Sequence, residues 1–193
     1  MVQRMWWELI LERIGGICAR ISPEEFQRFV AAVREAPRIY VTGAGRSELM
    51  AKAFAMRLVH LSLKVFVVGD TITPALRAGD VLLAVSGTGE TASVVDEARV
   101  ARELGGRVLV LTANRNSPLG RLADVLVEVP AQRLRRSIDD YELRKLKGPE
   151  EVLTPLGSLF ELSALIFFES CVVELMRQLG IGEADMARLH ANI

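Results

Sequence analysis

Ser86, Thr88 and Thr91 place three hydroxyls in one short stretch, Ser86-Gly87-Thr88-Gly89-Glu90-Thr91, with glycines between them. Glycine lets the backbone bend so that several N–H groups point at one anion, and hydroxyls add further hydrogen bonds. A hydroxyl-rich turn without a ligand is the plainer reading. Glu90 is an unwelcome charge beside a phosphate unless its side chain turns away as a helix cap. Position favours a phosphate cradle. Val81 to Val85 is an apolar run of strand length, and Val94, Val95, Ala98, Ala101 and Leu104 follow at helical spacing. In open α/β sheets, ligands collect where the carboxyl end of a strand feeds a helix N-terminus, and the helix dipole adds to the attraction.

A second glycine turn, Gly43-Ala44-Gly45-Arg46-Ser47-Glu48, follows the strand-like run Arg38 to Thr42. With Asp70 downstream it invites a dinucleotide fingerprint. Glu48, however, occupies the place of the third glycine, which close helix–strand packing needs, and its carboxylate would approach the pyrophosphate. A nicotinamide or flavin site is disfavoured, the P-loop pattern is absent, and no cofactor is expected. Neither His60 and His190 nor Cys18 and Cys171 have metal-ligand spacing, so no metal is expected either. Reduced thiols in a cytoplasmic protein fit the cysteines better than a disulfide does.

The elements that must position these groups follow in order. Residues 3–20 read as a helix with Met5, Trp6, Leu9, Ile10, Ile14 and Ile17 on an apolar face; Trp6 and Trp7 need a surface, in their own domain or in another subunit. Ser22-Pro23-Glu24-Glu25 starts a second helix, with a cap, a first-turn proline and a reciprocal acid. Strands are expected at Arg38–Thr42, Val65–Val68, Val81–Val85, Arg107–Leu111 and Val125–Val129, alternating with helices. The fold class is therefore α/β: a three-layer, doubly wound, five-stranded parallel sheet with extra N- and C-terminal helices. Within a single domain spanning 1–193, residues 1–36 form a helical arm, 37–130 the core, 131–152 a charged loop, and 153–193 a C-terminal helix and tail. The charged stretch reads as a solvated loop, with a lid over an anionic ligand as the alternative. Thr154-Pro155 opens the last long helix, and Glu183 to Ile193 is a short polar tail.

Composition narrows the classes. Of 193 residues 50% are hydrophobic, and 24 basic side chains balance 24 acidic ones. That balance suits a packed domain and gives no global attraction to nucleic acid or an anionic membrane. Any anion has to be captured locally. The opening apolar stretch carries Glu8, Glu12 and Arg13 and does not read as a signal peptide; the stretch from Leu156 to Met176 carries Glu161, Glu169 and Glu174 and does not read as a membrane span.

The two glycine loops together resemble the sugar isomerase (SIS) domain, which binds phosphosugars. Ala53-Phe54-Ala55-Met56-Arg57-Leu58 with His60, Val67-Val68-Gly69-Asp70-Thr71 with Thr73-Pro74, Pro155 to Glu161, and the terminal His190-Ala191-Asn192 narrow the resemblance to the 6-phospho-3-hexuloisomerase family. It spans nearly the whole chain and implies the flavodoxin-like strand order and a homo-oligomer, a tetramer with shared active sites. Departures are Glu48 for a glycine, Thr88 for a serine, Asp70 for a glutamate, and a longer charged loop at 131–152. The implied reaction interconverts 3-hexulose 6-phosphate and fructose 6-phosphate by removing the C2 proton, passing through a 2,3-enediol and returning a proton to C3. The resemblance places the phosphate on Ser47, Ser86, Thr88 and Thr91, with Gly45 and Gly87 shaping the turns. It makes Glu161 the base, which partial desolvation at the head of an apolar helix would strengthen; a first-turn acid complementing the helix dipole is the structural alternative. Arg46 would neutralise the substrate or the enediolate, or else form a structural ion pair. His190 and His60 compete for handling the oxygen protons. An isomerase of another sugar phosphate, or a non-catalytic phosphosugar-binding module, are the other functions such loops serve.

Overall fold

The computed structural model describes residues 4–131, 154 and 157–190. Five parallel strands lie in the order β2-β1-β3-β4-β5: β1 (Ile39–Gly43), β2 (Val65–Val67), β3 (Val81–Val85), β4 (Arg107–Thr112) and β5 (Val125–Glu128). The expected order is the one found. In register, Val41 stands beside Val67 on one side and Leu83 on the other, and Leu83 stands beside Leu109. Every residue of β3 is buried, as expected of a central strand covered on both faces.

Alternation along the strands builds two cores. Ile39, Val41, Leu83, Val85, Leu109 and Leu111 face one side, against α1 (Trp6–Cys18), α2 (Pro23–Glu35), α3 (Arg46–His60) and α5 (Ser158–Leu179). Tyr40, Leu82, Ala84, Val108 and Val110 face the other, against α4 (Ala92–Glu103). The layers are thus unequal. Residues between β2 and β3 form no helix, and β4 is joined to β5 through a single 3-10 turn, Gly120–Leu122. The loop before β3 covers the sheet instead, with Val68 and Leu76 packed on the second core and the Tyr40 hydroxyl donating to Ala75 O at 3.2 Å.

Three sequence expectations need correction. The long helix starts at Ser158, because Gly157 before it adopts the left-handed conformation at φ 88°, ψ 18°. The polar tail contains a helix of its own, α6 (Glu183–Leu189), which buries Met186 against the first core. At α2, Ser22 Oγ does accept the Glu25 N–H at 3.2 Å, but the Glu25 carboxylate does not return to Ser22. It crosses to the sheet instead, accepting from Glu128 N at 2.9 Å and from Arg115. The charged stretch from 132 to 152 lies outside the described residues.

Candidate active site

Strand alternation sets hydroxyls at the carboxyl edge of the sheet. Thr42, Ser86 and Thr112 continue the columns of Tyr40, Ala84 and Val110, and all three are buried. Beyond Ser86 the chain is turned back on itself. Ser86 O accepts from Gly89 N at 3.2 Å, Gly87 O from Ala113 N at 3.1 Å, and Gly89 O from Leu119 N at 3.0 Å. In a trans peptide the C=O and N–H point in opposite directions. Carbonyls tied back into the protein therefore direct the N–H groups of Gly87 and Thr88 outward, as an anion site requires. Gly89, at φ 65°, packs so closely that a Cβ would fall on the Ser117 hydroxyl.

The hydroxyls divide their work. Ser86 Oγ accepts the Gly89 N–H at 3.1 Å and meets Thr91 Oγ1 at 3.3 Å, so Ser86 braces the turn from within. Thr91 is the N-cap position of α4 but makes no side-chain cap there. Thr88 Oγ1 accepts from Glu90 N at 3.3 Å, and Glu90 itself is exposed.

Two further helices bring their heads to the same edge. α3 follows Gly45, at φ 59°, with Ser47 buried in its first turn. Gly43 has no room for a side chain: a Cβ would lie 2.8 Å from the backbone nitrogen of Glu48. Glu48 itself pairs with Lys52 at 2.6 Å, one turn along the helix. α5 arrives from the far end of the sequence and packs Phe160 on Gly87, where a Cβ would come within 3.0 Å of the ring. Glu161 is the next residue. Its carboxylate accepts from Arg46 Nε at 2.8 Å, with the glutamate side chain 12% exposed and the arginine 56%. Arg46, Ser47, Ser86, Thr88, Thr91 and Glu161 are thus gathered at one edge of the sheet.

The histidines are not. His60 is the last residue of α3, and Arg46 is the first, so the helix separates them by roughly 21 Å at 1.5 Å per residue. His60 is buried, and its ring centroid lies 5.2 Å from that of His190 at the end of α6. Burial, then the neighbouring His190 and Arg57, hold the His60 pKa below its ordinary 6.5. Within one chain this pair sits at the opposite edge of the sheet from Glu161.

The sequence reading also missed part of the site. A cleft of 710 Å³ opens beside Gly87, Thr88 and Glu90 and continues over the ends of β4 and β5, where Arg20, Asn114, Asn116, Ser117, Arg121 and Glu128 line it. The polar run Asn114-Arg115-Asn116-Ser117 directly after β4 was the signal for it. Among the described residues no three His, Cys, Asp or Glu side chains cluster to hold a metal, and no helix is long and apolar enough to cross a membrane.

A model of the SIS domain matches residues 32–141, from the end of α2 through all five strands. The chain belongs to the SIS domain family. An uncharacterised protein of Aeropyrum pernix is 43% identical over 90% of this chain and 84% of its own. The 3-hexulose-6-phosphate isomerase of Bacillus subtilis is 36% identical over 95% of this chain and 96% of its own. Among solved structures, a Methanococcus jannaschii protein aligns with a TM-score of 0.80 and 26% identity, covering 97% of this chain and 98% of that one. Its crystal structure was taken to imply the function of a 3-hexulose-6-phosphate isomerase.

Proposed function

We propose that this SIS protein is a sugar-phosphate isomerase that interconverts 3-hexulose 6-phosphate and fructose 6-phosphate. The observation that carries this reading is the Glu161 carboxylate, held by Arg46 at the mouth of an anion cradle built from the ends of β1 and β3. The names borne by relatives at 36% and 32% identity over most of their length support it.

The phosphate sits on the outward N–H groups of Gly87 and Thr88, with Ser47, Thr88 and Thr91 supplying hydroxyls. Glu161 takes the C2 proton of the 3-ketose, electrons move into the C2–C3 bond and onto the C3 oxygen, and a 2,3-enediol forms. Return of the proton to C3, as the C2 oxygen becomes the carbonyl, completes the isomerisation. Arg46 turns from Glu161 to the developing oxyanion. A ketone at C3 can close only into a strained four-membered ring, so the 3-ketose arrives open and only fructose 6-phosphate needs ring opening.

Proton transfer between the oxygens falls to His190 or His60 of a neighbouring subunit, since neither reaches Glu161 within one chain. This makes the working form a homo-oligomer, a tetramer with composite sites. Exposed Trp6, Trp7 and Leu11 on α1, and Val173 on α5, at 59–66% exposure, are the apolar surface for it. Both cysteines are unpaired, in keeping with action in the cytoplasm.

The test is a coupled assay supplying 3-hexulose 6-phosphate and detecting fructose 6-phosphate, with sedimentation of the same sample. Turnover by an assembled species is expected. Phosphosugar binding without turnover would leave a sensing module, and a 21.3 kDa species with full activity would remove the composite site.

A further inference from the structure

Glu97 lies on the second turn of α4, half-buried against the sheet. Its carboxylate accepts a hydrogen bond from the Thr42 hydroxyl, the side-chain partner it has among the described residues. A carboxylate drawn under a helix with no cation beside it among the described residues is costly unless the contact it makes is worth keeping. Position gives the reason. Thr42 is the residue before Gly43, so it sits directly beneath the turn that carries Arg46 and Ser47. Glu97 belongs to the helix whose first turn begins at Thr91.

The strands that carry the two halves of the cradle are hydrogen-bonded neighbours, with Gly43 beside Val85, so the sheet fixes where the two turns start but not how α4 is seated. α4 rests on the sheet through Val94, Val95, Ala98 and Ala101, packed with Leu82, Ala84, Val108 and Val110 of β3 and β4. Such contacts are non-directional and tolerate small shifts of a helix along its groove. β1 also faces α4 through Tyr40 in the same apolar cluster, with Thr42 two residues further toward the site and beside Ala84. A hydrogen bond to a charged acceptor is short and directional, and it fixes α4 against β1 at the level of the site.

We propose that Glu97 is a positioning residue: through Thr42 it sets the distance between the Arg46–Ser47 turn and the Thr88–Thr91 turn, and so the affinity of the cradle for phosphate. This rests on the cradle reading given above. Glu97 touches no substrate, and its effect is carried by the geometry of the two turns.

Calorimetric titration with inorganic phosphate and with fructose 6-phosphate tests it, alongside thermal unfolding of each variant. Thr42→Val and Glu97→Leu are each expected to weaken binding of both probes roughly tenfold, and the double variant to weaken it no further than either single one. Glu97→Gln keeps an acceptor oxygen for the Thr42 hydroxyl and is expected to restore most of the affinity. Thr42→Val changes no shape, so it carries the test where Glu97→Leu does not fold. Lower melting temperatures with unchanged phosphate affinity would overturn the proposal and leave the bond as packing alone. The combined Ser86→Ala, Thr91→Ala variant separates the two ideas. If it also binds phosphate like the wild type, the cradle itself is wrong; if it alone loses affinity, the cradle stands and the tie is wrong.

Discussion

The two edges of the β-sheet handle their polar groups in opposite ways. At the amino edge the buried acid is paired inward. Asp80, 4% exposed, accepts from Arg38 at 2.5 and 3.0 Å and from Arg77 N at 2.7 Å, while its backbone carbonyl accepts from Arg107 N at 2.8 Å. Burial pushes the Asp80 pKa up, but the Arg38 bonds and the Arg77 N–H outweigh it, and the carboxyl lies below its ordinary 3.8. At the carboxyl edge the chain spends its backbone bonds on shaping a turn and leaves α3, α4 and α5 without a side-chain cap from the residue before each. α2, whose head meets the end of β5 through Glu25, has its cap. Polar groups closed on one another hold a fold; groups held in place yet turned outward await a ligand.

Breaking the closed edge should cost the most stability. Asp80→Ala leaves the Arg38 guanidinium without its buried partner and is expected to cost about 3–5 kcal/mol. Because the defect lies far from the cradle, the surviving folded fraction should bind fructose 6-phosphate as tightly as the wild type. Chemical denaturation and calorimetry on the same sample check both halves of that statement. At the open edge the pattern reverses. Gly89→Ala needs a side chain at φ 65° that also collides with Ser117, at a cost of about 1–3 kcal/mol, and it tilts the very peptides that form the proposed phosphate cradle. Sugar-phosphate affinity should fall well beyond what the lower stability explains. Gly180→Ala, at the far end of α5, is the control for backbone strain alone, since Gly180 has a similar φ of 66° and no atom lies within 4 Å of its Cβ position.

The smallest effect concerns His60. Its folded pKa is depressed below 6.5 by burial, so below pH of about 6.5 the unfolded chain takes up a proton that the folded one resists. Stability is therefore fully present above that pH and declines on acidification until the folded pKa is passed. Denaturation midpoints measured between pH 7 and pH 5 should fall in the wild type and fall less in His60→Gln. Equal slopes would assign the acid sensitivity elsewhere.

How far the sequence carries differs between the same two regions. The strands were legible because each is an apolar run bounded by glycine, proline or aspartate, and the strand ends located Arg46, Ser47 and the Ser86–Thr91 turn. Glu161 joined them through family resemblance, since nothing local to Leu159-Phe160-Glu161 says that its helix head packs on Gly87. The His60–His190 contact was illegible for the same reason: it depends on α6, a short polar helix with one buried apolar residue, Met186, and hence little periodicity to read. Glu25 looked like half of a capping box because the local pattern is complete; only the fold brings Arg115 and Glu128 N within its reach. Asn114 and Asn116 were visible as a polar run but carried no spacing that marks a site.

The central claim is that Glu161, at the open edge, moves a carbon-bound proton. Its most direct test is exchange of the C3 proton of fructose 6-phosphate with deuterated water, followed by NMR for the wild type and Glu161→Gln, with phosphosugar affinity measured on both. The account predicts steady exchange by the wild type. It predicts a loss of about 10²–10⁴-fold or more in Glu161→Gln, with affinity nearly unchanged because the phosphate is held by the loops. Exchange at the wild-type rate without this carboxylate, accompanied by a lower melting temperature, would contradict it and reduce Glu161 to the structural partner of Arg46.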